Sequence, residues 1–76
     1  MTTAILGKYM TADLHRDEIS GDFWAINMRS GGSTLGRVVY YAPWKSWVFR
    51  PEDMTEFSAD CLRSIAEFIE KARGAR

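Results

Sequence analysis

What this sequence lacks narrows its function before anything it contains. One cysteine, Cys61, rules out an internal disulfide and suits a reducing compartment. One histidine, His15, rules out a site built on two imidazoles, although Asp13, Asp17 and Glu18 lie near it in sequence. Those acids fall on a polar segment, where solvated charges are the ordinary finding. No apolar run approaches the ~18 residues that a membrane-spanning helix needs. The start, MTTAILGKYM, has too short an apolar stretch for a signal peptide and no cleavage pattern. The expected setting is therefore cytoplasmic, with no membrane partner. Net charge is also missing, with ten bases against ten acids, so bulk charge does not hold this chain to nucleic acid.

What is present is enough for one small core. Apolar residues make up 46% of the 76 and aromatics 13%, a composition that folds rather than stays disordered. Residues 1–76 are read as a single domain, with 1–14 as a loosely docked N-terminal arm in which Met1 to Met10 also reads as a short strand. A chain of this length buries only about 60% of its unfolded surface. Its stability is expected in the lower half of the usual range of about 5–15 kcal/mol.

The local pattern is mostly β. Thr11 as an N-cap opens one reading of the next residues, a helical turn; a polar edge strand over His15 to Ser20 is the stronger one. Ser20-Gly21-Asp22 is turn chemistry. Phe23 to Arg29 alternates, with Trp24, Ile26 and Met28 on one side and Phe23, Ala25 and Asn27 on the other. Ser30-Gly31-Gly32-Ser33 has the length of a hairpin turn and leads into a strand from Thr34 to Ala42. Pro43 cannot donate to a ladder and ends it; Ser46 to Arg50 forms the next strand, closed by Pro51.

A helix follows. Ser58 is a good N-cap and Asp60 meets the positive end of the macrodipole. Leu62, Ile65, Ala66, Ile69 and Ala72 recur at helical spacing, with Phe68 widening the stripe. Phe57 and Leu62 have the spacing of a hydrophobic staple. Arg63–Glu67 and Glu67–Lys71 are i,i+4 pairs, and Gly74 suits a stop. The expected fold is α+β, a three- to four-stranded antiparallel β-meander with one C-terminal α-helix packed on one face. One helix cannot cover both faces of a sheet, so aromatic surface must remain outside.

Chemistry-bearing patterns are few. Cys61 near a helix start has no histidine or second cysteine beside it and reads as structural. Ser30 to Ser33 is followed by neither a helix nor a Walker-type lysine, so it is no phosphate cradle. No catalytic group, metal set or cofactor motif emerges, and an enzyme is not expected. Two surfaces remain. Glu52, Asp53 and Glu56, with Asp60, precede the helix, where acids suit the dipole; they also offer a surface for a basic partner. Phe23 to Arg50 carries four bases, no acid and seven of the ten aromatics. Trp47 and Phe49 share one strand face and belong to the core. Arg37, Tyr40, Tyr41, Trp44, Lys45 and Arg50 are left as partner-binding candidates. Trp, Tyr and Arg are the types enriched at protein interfaces. The alternative is single-stranded nucleic acid held by stacking and phosphate contacts, for which four bases are a thin footprint.

Several blocks together resemble a family of small proteins from tailed phages and prophages. They are Phe23-Trp24-Ala25-Ile26-Asn27, Leu35-Gly36-Arg37-Val38, Trp44-Lys45-Ser46-Trp47-Val48-Phe49-Arg50-Pro51 and Phe57 through Cys61-Leu62-Arg63 to Ile69. The resemblance covers residues 20 to 72 and implies an origin and a shared fold rather than a mechanism. Small accessory phage proteins similar to this one bind and block a host factor, anti-CRISPR proteins being one class. The expected function is a non-enzymatic inhibitor of a host protein complex, acting in the host cytoplasm. A nucleic-acid-binding accessory protein and a homodimeric structural phage protein are the alternatives.

Overall fold

The computed structural model describes residues 3–19 and 21–74. Met1, Thr2, Ser20, Ala75 and Arg76 lie outside the described residues. Strands β1 (Thr3–Leu6), β2 (Met10–His15), β3 (Phe23–Met28), β4 (Thr34–Tyr41) and β5 (Ser46–Pro51) precede helix α1 (Ala59–Gly74). The strands form one sheet in the order β1-β2-β3-β4-β5, each pair antiparallel. The fold is thus α+β, and the sheet has five strands rather than three to four.

The difference comes from the N-terminal stretch. Leu6 pairs with Met10 across the three-residue turn Gly7-Lys8-Tyr9, and β2 continues through Thr11 to His15. Leu6, Met10 and Ala12 are buried and supply half of the buried core cluster. Thr11 therefore caps no helical turn, and the strand lies before His15 rather than after it. Ala12 and Asp13 are weak strand formers as sequence; pairing on both sides, with β1 and β3, overrides that preference.

Residues paired across neighbouring strands share a sheet face. Leu14, Trp24, Val38 and Phe49 are aligned in this way, and so are Ala12, Ile26 and Gly36. Continuing at period two, this face holds Ala4, Leu6, Met10 and Trp47, all packed in or against the core. Helix α1 covers it. Trp24 meets Phe68 edge-on at 5.0 Å, and Phe49 meets Phe57 at 5.3 Å. Full burial of Ile26 and Val38 stabilises by roughly 1.5–3 kcal/mol each.

One irregularity keeps the faces consistent. Ile26 pairs with Gly36 but Asn27 pairs with Thr34, so Leu35 is an extra residue on β4. A regular ladder would set Leu35 opposite Asn27 on the uncovered face. The bulge turns Leu35 to the core and gives its place to Thr34.

The helix is placed as its sequence indicates, but rotated. The Ser58 hydroxyl accepts a hydrogen bond from the Cys61 amide at 3.2 Å, as an N-cap does. Ile65 is buried, with Cys61, Phe68 and Ile69 packed against the core. Leu62 is 51% exposed and Ala66 is exposed as well, so the buried stripe runs one residue earlier than expected in the first turns. Phe57 packs on Phe49 instead of stapling to Leu62. Arg63 turns back to Asp60 at 2.7 Å rather than forward to Glu67. Gly74, expected just beyond the helix, is its last residue.

Candidate interaction face

The sheet face away from α1 carries no second layer among the described residues, and its side chains fall into two rows. The first is polar. Thr3 donates to Asp13 at 2.5 Å, the Asn27 side-chain amide donates to the other Asp13 oxygen at 2.7 Å, and the Thr34 hydroxyl donates to Asn27 Oδ1 at 3.0 Å. This chain crosses β1, β2, β3 and β4 and satisfies both oxygens of the Asp13 carboxylate. Its members hold one another, which makes it a structural ladder rather than an open donor set.

The second row is aromatic and cationic. His15 and Phe23, paired across β2 and β3, stack in parallel at 5.1 Å. The Arg37 guanidinium lies over the Phe23 ring at 5.1 Å, and that of Arg50 lies over Tyr41 at 5.9 Å. Trp44 meets Tyr41 edge-on at 5.1 Å. Each contact is worth about 0.5–1.5 kcal/mol at a surface, enough to orient a side chain without burying it.

The corner after β4 explains the position of Trp44. Pro43 ends the strand, and Ala42–Trp44 make a single 3₁₀ turn. Lys45 closes it in the left-handed conformation at φ 51°, its amide donating to the Ala42 carbonyl at 3.0 Å. The chain thereby reverses within a few residues and leaves Trp44 71% exposed. A large ring this open has little packing role.

Strand alternation sorts the remaining candidates. Arg37, Tyr41, Trp44 and Arg50 are brought together on this face. Tyr40 is directed to the other side, edge-on to its partner Trp47 at 5.8 Å. Lys45 sits at the corner, exposed. Glu52, Asp53 and Glu56 are exposed in the connection from β5 to α1, where the Glu52 amide donates to the Leu35 carbonyl at 2.9 Å. Phe23 and His15 belong to the face and were not singled out by sequence reasoning. The signal that finds them is the register, which sets Phe23 beside Arg37 and opposite His15.

A cleft of about 790 Å³ opens at one end of the face, lined by Phe23, Arg37, Val39 and Arg50 together with Asp17, Gly21 and Asp22 of the preceding loop and with Tyr40 and Trp47. Asp22 is paired with Arg16 at 3.4 Å. Among the described residues no group of three His, Cys, Asp or Glu is placed to hold a metal ion. No helix among them is long and apolar enough to cross a membrane. Comparison of the chain with protein-family models, with curated proteins and with solved structures finds no match.

Proposed function

We propose that this protein works by binding another protein through the uncovered sheet face, and that it belongs to the phage setting its sequence blocks resemble, where it inhibits a host protein complex such as a CRISPR effector or another defence system. The observation that supports this reading is the second row, His15-Phe23-Arg37 and Arg50-Tyr41-Trp44. It joins aromatic and arginine side chains on a rigid sheet, the chemistry of interface anchors. Trp44, exposed on a tight corner, is the leading anchor.

A single-stranded nucleic acid is the second reading, because arginine over aromatic rings also suits bases and phosphates. Asp13, Asp17 and Asp22 sit around the same face and repel a polyanion, which puts this reading behind the first. The two differ in salt response, since neutralised phosphates make affinity fall steeply with salt.

The test is capture by a tagged full-length chain from a phage-host lysate. A stoichiometric host protein is expected with the native chain. It is expected to be lost with Trp44→Ala and kept with Glu70→Ala, an exposed position on the helix. Capture of no host protein, together with no effect on phage defence in the cell, overturns the proposal. A second copy of the chain seated on this face would show as a dimer in sedimentation and also overturn it.

A further inference from the structure

Resting on that reading, we infer that Arg37 and Arg50 form a receptor for one carboxylate of the protein partner, an aspartate or glutamate side chain entering the cleft beside Phe23. The two residues are direct cross-strand partners on β4 and β5. Like charges set opposite each other destabilise a sheet, so a pair of arginines there is not explained by folding. Among the described residues neither has a carboxylate at ion-pair distance; the two ion pairs belong to Arg16–Asp22 and Arg63–Asp60. What holds them is the π-face of a ring, Phe23 for Arg37 and Tyr41 for Arg50. A ring orients the guanidinium plane and leaves its N–H edge free for an oxyanion, the arrangement that favours forked recognition.

Both arginines line the same cleft of about 790 Å³, with Val39 two residues beyond Arg37 on β4. Ring-held cations lose little side-chain freedom on binding, so the site is pre-organised. The anion is a carboxylate rather than a nucleic-acid backbone because Asp17 and Asp22 line the cleft too. One negative charge meets the arginines and avoids these acids; a row of phosphates does not.

The test follows the side-chain Nε–Hε signals of Arg37 and Arg50 in the isotope-labelled full chain. The probes are a blocked tri-glutamate peptide, a blocked tri-glutamine peptide, inorganic phosphate and an oligothymidylate. Saturable shifts at both arginines are expected with tri-glutamate and none with tri-glutamine. Arg37→Gln and Arg50→Gln, both at exposed positions, are expected to keep the fold by circular dichroism and to weaken binding about tenfold or more. Arg37→Lys is expected to restore only part, since lysine lacks the fork. Absence of saturation, or tighter binding of phosphate or oligothymidylate, overturns the inference. The captured host protein separates the two proposals. Unchanged affinity in Arg37→Gln and Arg50→Gln with loss in Trp44→Ala sinks the carboxylate receptor and leaves the interface standing. Tri-glutamate binding with no host protein captured does the reverse.

Discussion

Gly36→Ala tests the packing that supports the whole uncovered face. Gly36 lies on β4, buried on the helix side, opposite Pro51 of β5. Its φ is not in the left-handed region, so it is glycine for space alone. A Cβ there would stand 2.5 Å from the Arg50 carbonyl oxygen, 2.6 Å from Phe49 Cζ and 2.7 Å from Phe49 Cε1. The ring can tilt, although Phe57 packs edge-on against it. The carbonyl can move only with β5. Overpacking of this kind costs about 1–3 kcal/mol, and a backbone obstruction puts Gly36 at the top, at roughly 3 kcal/mol. For a domain of this size that is a fall in melting temperature of roughly 12–24 °C. In urea, with a slope near the low end of ~1–3 kcal/mol/M, the midpoint drops by about 2–3 M at unchanged slope.

Gly31→Ala is the comparison. Nothing lies within 4 Å of its Cβ position, and φ is 85°, so strain alone applies, about 1 kcal/mol. Phe49→Leu in the Gly36→Ala background is expected to recover part of the loss and not all, because the Arg50 carbonyl stays. Urea denaturation followed by tryptophan fluorescence and far-UV circular dichroism measures all three. A Gly36→Ala cost within about 0.5 kcal/mol of the native chain, as at a surface, or a larger loss in Gly31→Ala would refute this packing.

Two further expectations follow from burial and hydrogen bonding. Ile65→Ala removes a side chain that is 3% exposed and should cost about 2–5 kcal/mol, while Leu62→Ala, at 51% exposure, should cost less than about 1 kcal/mol; equal costs in thermal denaturation would show that the helix stripe is assigned to the wrong residues. Asp13→Ala removes the acceptor of the exposed Thr3 and half-buried Asn27 donors, which water can then satisfy, and should cost about 0.5–1.5 kcal/mol with the second row untouched, so the peptide titration at Arg37 should not change.

Much of the architecture is legible from residues 23 onward, because periodicity carries it. Alternation in Phe23 to Met28 sets Trp24 and Ile26 on one side, and the register with Val38 and Gly36 makes that side the core face. Trp47 and Phe49 are core residues for the same reason. Pro43 follows the end of β4 and Pro51 is the last residue of β5, as their missing amide protons require. Ser58 caps α1 from its side-chain chemistry alone. The helix stripe was harder to read. Leu62 and Cys61 are neighbours of similar apolar character, and which of them turns inward depends on how α1 crosses the sheet.

By itself, then, the sequence determined the elements from Phe23 on, the turn chemistry between them, and the presence of more aromatic surface than one helix can cover. These are local properties, set by side-chain branching, missing donors and period. Tertiary structure alone decided the rest. It drew Leu6, Met10 and Ala12 into the core as a β1–β2 hairpin held against β3, a placement that Ala12 and Asp13 do not announce. It decided which of Tyr40 and Tyr41 turns to the core side, and through one extra residue at Leu35 it kept Thr34 beside Asn27. It set Arg37 opposite Arg50, thirteen residues apart in the chain, with a ring beneath each. Register cannot be summed from residue preferences, because a shift of one position exchanges every side chain between the two faces.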